Sequence, residues 1–242
     1  MSSLSIVIPA YNEEKRLPIT FEKLERFLAS PHGWDSIEIV IVDDGSKDAT
    51  ALTVERLAIS NPVFRLVKNP GNRGKGYAVR KGALSSKGEW VLMTDADLSS
   101  PIEELAKLMT ALRSQSADIA IGSRAIDRSL VSVRQSIFRE YSGRFFNLVM
   151  RLVTGLPFMD TQCGFKLFHR STVMPIFSRQ ILDGFGFDVE DLFIAKALGL
   201  KTVEVPVCWA NVEGTKVSLP SGLNGFFDLL LIRWYQATGR YR

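Results

Sequence analysis

Cysteine and histidine are scarce in this chain. Only two cysteines, Cys163 and Cys208, and two histidines, His32 and His169, occur among 242 residues. The cysteines lie far apart and form neither a metal-ligand spacing nor a disulfide framework, so a reducing, cytoplasmic setting is expected. Each histidine stands apart from the other motif residues, and surface or core filling is its expected role. No apolar run approaches the ~20 residues that span a bilayer. The start, Met1-Ser2-Ser3-Leu4, has no basic stretch, and Pro9 interrupts the apolar run behind it, so no signal peptide is expected. Internal repeats, low-complexity tracts and a convincing linker are all absent. So are the G-x-x-x-x-G-K-[ST] spacing of a P-loop and the signatures of RNP and helix-turn-helix modules.

What is present suits one large α/β domain. Hydrophobic residues make up 46% and charged residues 23%, with a net charge of +4. That balance supports a packed core and is too mildly basic to argue for nucleic acid alone. It would equally suit phosphate-bearing substrates or an anionic membrane face. Short β-rich runs at Ser5–Ile8, Glu38–Val42, Phe64–Val67, Trp90–Thr94 and Ile119–Gly122 predict buried strands. Helical spacing covers Leu17–Ala29, Ala49–Ile59, Tyr77–Ser86 and Ile102–Ser114, with Asp48 and Pro101 as start signals. This alternation predicts a mainly parallel sheet. Farther on, Val131–Leu156 reads as one or two basic amphipathic helices. Phe165–Phe168 and Val203–Val207 read as strands, and Val189–Leu198 and Leu223–Thr238 as helices.

Polar, chemically capable residues follow four of the strands: Tyr11-Asn12-Glu13, Asp43-Asp44, Asn69–Gly76 and Asp95-Ala96-Asp97. Open α/β sheets bind ligands beyond the carboxyl ends of their strands, so these segments are expected to share one crevice. Asp95 and Asp97 flank a small residue at a strand end, where both can reach one hard cation, Mg²⁺ or Mn²⁺, that leaves positions for phosphate oxygens. A carboxylate of Asp43-Asp44 can accept hydrogen bonds from a base or ribose, while the other forms a turn. The basic, glycine-rich loop from Asn69 to Gly76 opens a helix whose N-terminus favours anions, with Lys75 or Arg73 placed to meet a diphosphate.

In order, SIVIPAYNEE, IVIVDDGSKDAT, NPGNRGKGYAVRKG, MTDADLSSP and IGSR resemble the GT-A glycosyltransferases of family 2. The later segments DTQCGFKLF and FGFDVEDLFIAKALG are similar to the dolichyl- or polyprenyl-phosphate sugar synthases, most closely the dolichyl-phosphate β-glucosyltransferases. The resemblance runs from Ser5 to about Ala210. It implies a Rossmann-like GT-A fold filling residues 1–242, with a nucleotide-sugar half (1–125) and an acceptor half (126–242) ending in amphipathic helices. It places Pro9, Tyr11, Glu13 and Asp44 at the donor base and ribose, Lys75 near the nucleotide and Asp95 near ribose and metal. Asp97 becomes the principal metal ligand. Arg124, Arg139 and Ser142 would grip the acceptor phosphate, with Arg134 and Arg144 as rivals of Arg139. Gln162 and Lys166 would line the acceptor side, and Asp188 and Glu190 would lie near the sugar.

The implied reaction moves a hexose from UDP-glucose, or alternatively GDP-mannose, onto a polyprenyl phosphate at the cytoplasmic face of a membrane, with inversion. A phosphate acceptor is already anionic and needs little base catalysis. A family 2 transferase acting on a saccharide or protein hydroxyl would need a base, for which Asp188 and Glu190 are the candidates. The basic second half favours the phosphate. A nucleotide- or nucleic-acid-binding module is the remaining reading, opposed by the acidic pairs. Eukaryotic members of the glucosyl branch often carry a membrane helix that these residues lack. Val131–Phe158 and Leu223–Tyr235 can instead lie on a membrane surface or serve as ordinary packing helices.

Overall fold

The computed structural model describes residues 2–133, 137–212 and 219–241, with backbone alone at 137–140 and 219–223. Strands and helices alternate first: β1 (Ser3–Ala10), α1 (Leu17–Ala29), β2 (Ser36–Asp43), α2 (Thr50–Ser60), β3 (Phe64–Lys68), α3 (Lys75–Ser85), β4 (Trp90–Met93), α4 (Leu105–Gln115) and β5 (Ile119–Ser123). There follow β6 (Val131–Val133), α5 (Ile137–Thr154), β7 (Lys166–His169), α6 (Arg170–Phe177), α7 (Phe187–Ala197), β8 (Thr202–Pro206), β9 (Trp209–Ala210) and α8 (Leu219–Ala237). The main sheet runs β3-β2-β1-β4-β7-β5-β8, and every neighbouring pair is parallel except the two made by β7.

The period of two along the strands divides the core. Ile6, Ile8, Ile39, Ile41 and Leu92 join α1 and α4 on one face, while Val7, Val40, Val42, Val91 and Met93 join α3 and the later helices on the other. Burial on both faces explains why these strands read as continuous apolar runs. Helix α1 fits this arrangement through Leu17, Phe21, Leu24 and Phe27, which recur at helical spacing and are all buried.

Strand β7 matters most for function. It lies antiparallel between β4 and β5, with Lys166 opposite Met93 on one side and Ile121 on the other. A reversed strand brings its beginning, not its end, to the carboxyl edge of its neighbours. Segment 160–166 therefore arrives beside the residues that leave β4 and β5.

Two expectations need correction. The helical reading of Val131–Leu156 applies from Ile137 onward, because Val131–Val133 is a strand paired with Trp209–Ala210. Its valines sit two apart and are β-branched, which suits a pleated strand. Helix α6 was not anticipated, being only eight residues long with Pro175 inside it. Among the described residues no helix is long and apolar enough to cross a membrane.

Helix α7 is buried at every position from Phe187 to Ala195, including Asp188, Glu190 and Asp191. Buried carboxylates require partners. Asp188 pairs with Lys166, and Glu190 accepts hydrogen bonds from Ile181 N, Leu182 N and the Tyr241 hydroxyl. Neither oxygen of Asp191 meets a hydrogen-bond partner among the described residues. Burial, reinforced by Glu190 and Asp188, pushes its carboxyl well above the usual range. A carboxyl raised in this way gives its full stability below its unfolded pKa of about 4 and loses it as pH climbs through the folded value. Asp191→Asn keeps the shape without the ionisation. In thermal denaturation the variant should gain on the wild type from about pH 5 to about pH 8; a gap that stays constant across that range would contradict the assignment.

Candidate active site

Successive strand-end segments are tied to one another. After β1, Asn12 N donates to Ser46 Oγ at 2.9 Å, and Asn12 Oδ1 accepts from Lys47 N at 2.8 Å, so the first segment is laced to the second. Asp44 then holds the glycine-rich loop. Its carboxylate accepts from Asn69 Nδ2 (2.7 Å), Arg73 N (3.1 Å) and Gly74 N (2.8 Å). Asp43 forms the turn, accepting from Ser46 N at 3.1 Å. Lys75, at the start of α3, reaches Asp95 Oδ1 at 2.7 Å and closes the series. The four segments are thus linked in series along the strand ends.

The Asp95-Ala96-Asp97 turn is firmly placed. Thr20 of α1 donates its buried hydroxyl to Ala96 O at 2.5 Å. Asp97 Oδ1 accepts from Ser99 N at 2.9 Å and from Ser99 Oγ at 2.7 Å. Behind Asp95 stands Gly164, where any Cβ would run into both carboxylate oxygens. A side chain at position 164 would therefore displace the Asp95 carboxylate from the place it holds. Lys166 is 1% exposed; it pairs with Asp188 and donates to Cys163 O at 2.7 Å. Pro9, Lys75, Asp95, Lys166, Phe187 and Asp188 thus line one small pocket.

Its charges are coupled. Burial opposes the charge on Lys75, but Asp95, Asp188 and Asp97 outweigh it and hold the ammonium above the usual lysine range. Burial likewise opposes the charge on Asp95, yet Lys75, Lys166 and Arg124 keep its carboxyl below the usual carboxylate range. Asp160 binds Arg124 through two oxygens at 2.7 and 2.8 Å. Among the described residues of the cluster, Lys75, Lys166 and Arg124 therefore face Asp95, Asp97, Asp160 and Asp188, four carboxylates to three cations. A diphosphate entering so acidic a crevice needs added positive charge.

The remaining candidates are placed unevenly. Tyr11 is half-buried beyond β1, and Glu13 pairs with Arg16 at 2.9 Å. Gln162 is exposed beside the cluster, its backbone N–H donating to Asp160 Oδ1 at 3.2 Å. Ser142 is exposed on α5, and no hydrogen bond joins it to the cluster among the described residues. Arg134 and the Arg139 side chain lie outside the described residues, and Arg144 is exposed on α5. Glu190, expected near the sugar, does not line the pocket. It is fully buried, and its oxygens point to the 181–182 backbone and Tyr241. Sequence reasoning gave no role to Asp160, Gly164 or Thr20. Asp160 and Gly164 lie inside a recognised segment, so their position was visible while their contacts were not. Thr20 comes from a helix with no motif signal at all.

The family model for Glycosyl transferase family 2 matches residues 5–177. The chain is 36% identical to Dolichyl-phosphate beta-glucosyltransferase of Mus musculus, an alignment spanning 99% of this chain and 77% of the relative. The protein of that name from Saccharomyces cerevisiae is 35% identical over 99% of this chain and 76% of its own length. The fold, of GT-A type, is shared with glucosyl-3-phosphoglycerate synthase of Mycobacterium tuberculosis. That structure, solved with Mn²⁺, UDP-glucose and phosphoglyceric acid, aligns with a TM-score of 0.69 and 18% identity over 96% of this chain and 79% of that one.

The two lysines differ in energetic role. The Lys75–Asp95 side chains are 24% and 37% exposed, a setting in which an ion pair contributes at most about 1 kcal/mol. The Lys166–Asp188 side chains are 1% and 6% exposed, and removing one partner of such a pair costs about 3–5 kcal/mol. Denaturant titration should find Lys166→Met destabilised by about 3–5 kcal/mol and Lys75→Met by less than about 1 kcal/mol. Equal losses would contradict this division.

Proposed function

The chain belongs to glycosyl transferase family 2, and we propose that it transfers glucose from UDP-glucose to a polyprenyl or dolichyl phosphate, inverting the anomeric centre and using Mg²⁺ or Mn²⁺. The observation that carries this reading is the acidic strand-end cluster, in which a D-x-D turn meets a lysine from a glycine-rich loop. Similarity to the mouse and yeast Dolichyl-phosphate beta-glucosyltransferases over 99% of this chain supports the transferred glucose and the acceptor.

Pro9, Tyr11, Glu13 and Asp44 take the nucleoside side of the donor. Asp44 does so while also holding the loop that carries Lys75 toward the diphosphate. Among the described residues no group of three or more His, Cys, Asp or Glu side chains is arranged to hold a cation by itself. Asp95 and Asp97 suit a hard divalent ion that takes its remaining ligands from phosphate, and Asp97 is already oriented by Ser99. Bound there, such an ion offsets the charge on the departing diphosphate.

Arg124, Gln162 and Lys166 take the acceptor side. Asp160 fixes the Arg124 guanidinium in a bidentate grip that sets its plane. The state of the acidic side chains favours a phosphate acceptor over a hydroxyl. A hydroxyl needs a base, but Asp188 is held by Lys166 and Glu190 is enclosed. A phosphate is anionic at neutral pH, so positioning and charge stabilisation suffice.

A lipid acceptor calls for a surface that meets the bilayer. Helix α5 exposes Tyr141, Phe145, Leu148 and Leu152, and α8 exposes Phe227, Leu230, Leu231 and Trp234. Phe226 packs against Phe145 and Phe146, setting the two stripes side by side. Arg144, Arg151 and Arg233 are exposed on the same helices. Apolar stripes beside arginines suit an anionic membrane surface.

One assay tests these points together. Labelled UDP-glucose, Mn²⁺ and polyprenyl phosphate in anionic vesicles should yield label that extracts into organic solvent, and GDP-mannose should yield less. Asp97→Ala should lower transfer by roughly 100-fold or more. The double variant Leu152→Glu/Trp234→Ala should lower transfer in vesicles by roughly tenfold, given the apolar burial lost, while leaving a short, water-soluble polyprenyl phosphate unaffected. Label that stays wholly aqueous would overturn the lipid acceptor, and wild-type activity in Asp97→Ala would overturn the metal assignment.

A further inference from the structure

Glu190 and Tyr241 form a buried pair that the transfer reaction itself does not require. Glu190 is 0% exposed and Tyr241 5%. The Tyr241 hydroxyl donates to Glu190 Oε1 at 2.7 Å. The same carboxylate accepts from Ile181 N at 3.0 Å and Leu182 N at 2.8 Å. Arg179 Nε secures the far side of the pair by donating to Tyr241 O at 2.9 Å. Burial pushes the Tyr241 phenol up from its ordinary value, and the Glu190 carboxylate adds to this, so the hydroxyl stays a donor across the neutral range.

The segment held by Glu190 is the wall against which the glycine-rich loop packs. Gln180 Nε2 donates to Gly76 O at 3.0 Å. Tyr77 N donates to Asp183 O at 3.2 Å. Arg80 reaches back to Gln180 O at 2.9 Å and to Asp183 Oδ1 at 2.8 Å. Gly74, at φ 109°, sits so close to Asp183 O that no side chain fits between them. The next residue is Lys75, which ends on Asp95. The chain of contacts therefore runs from Tyr241 through Glu190 to Ile181–Asp183, then to Gly74–Tyr77 and the crevice.

We infer that Glu190 and Tyr241 are positioning residues for the nucleoside diphosphate: they fix segment 180–183 as the back wall of the glycine-rich loop and so set the affinity for the donor. The inference rests on the donor reading given above. A charge-assisted hydrogen bond is among the stronger contacts in a protein interior, and three of them converge on Glu190. Loss of one leaves the carboxylate under-satisfied and loosens the segment it holds. Neither Glu190 nor Tyr241 lines the pocket that holds Lys75 and Asp95, so the effect is expected in donor binding and not in the chemical step.

The test is calorimetric titration of UDP with Mn²⁺, paired with amide hydrogen exchange. Tyr241→Phe keeps the ring and removes the hydroxyl. It should weaken UDP binding about five- to tenfold, the scale of one lost hydrogen bond, raise the donor KM by a similar factor and leave kcat at saturating donor unchanged. Tyr235→Phe, which removes a neighbouring phenol not bonded to Glu190, should bind UDP as the wild type does. In the wild type, UDP with Mn²⁺ should slow exchange at Ile181 and Leu182, because coupling between two sites is reciprocal. Unchanged affinity in Tyr241→Phe, with or without a fall in Tm, overturns the inference, as does unchanged exchange at those amides. Wild-type protein that binds no UDP would overturn this inference and the donor reading together, so the two failures are distinguishable.

Discussion

The ion pair between Lys75 and Asp95 joins the loop after β3 to the turn after β4, and the crevice is organised around it. A lysine in the first turn of a helix meets the positive end of the helix dipole, at a cost of roughly 0.3–1 kcal/mol. Asp95 offsets that cost, and so do Asp97 and Asp188 nearby. With both partners partly exposed, the pair adds little to stability; its consequence is geometric. It brings a mobile-chained cation to the place where the proposed diphosphate must sit, while the glycine-rich loop is pinned from below by Asp44 and from behind by segment 180–183.

The reversed strand β7 supplies the other half of the crevice. Because it runs against β4 and β5, its entry segment brings Asp160, Gly164 and Lys166 to the strand ends. Gly164 lets the chain pass against the Asp95 carboxylate, Asp160 orients Arg124, and Lys166 neutralises Asp188 in full burial. The residues proposed for the donor and acceptor sides thus meet across adjacent strands of a single sheet. The proposed transfer needs that proximity, since its gain comes from alignment and charge placement more than from proton transfer.

Much of this was legible in the residues. Continuous apolar runs marked the buried strands, and α1 at Leu17–Ala29 matched its periodicity because Leu17, Phe21, Leu24 and Phe27 recur at helical spacing on its buried face. Polar residues after successive strands marked the crevice, since parallel strands deliver their ends to one edge. What failed to show depended on tertiary contact. Strand β6 was hidden beside a strongly amphipathic helix and exists through pairing with a two-residue strand far along the chain. The direction of β7 leaves no trace in its four residues. Glu190 looked like an active-site carboxylate because it stands two residues from Asp188. On a helix that spacing turns the two side chains to different sides, and Glu190 faces Tyr241 and segment 181–182 instead.

The claim on which the rest depends is that Asp95 and Asp97 meet the donor diphosphate through a divalent cation. Titration of UDP into the wild-type chain with and without Mn²⁺ tests it most directly. Among the described residues of the crevice carboxylates outnumber cations, so UDP alone should bind weakly, and Mn²⁺ should tighten binding by at least about tenfold, or roughly 1.4 kcal/mol. Equal affinity with and without the metal would contradict the account.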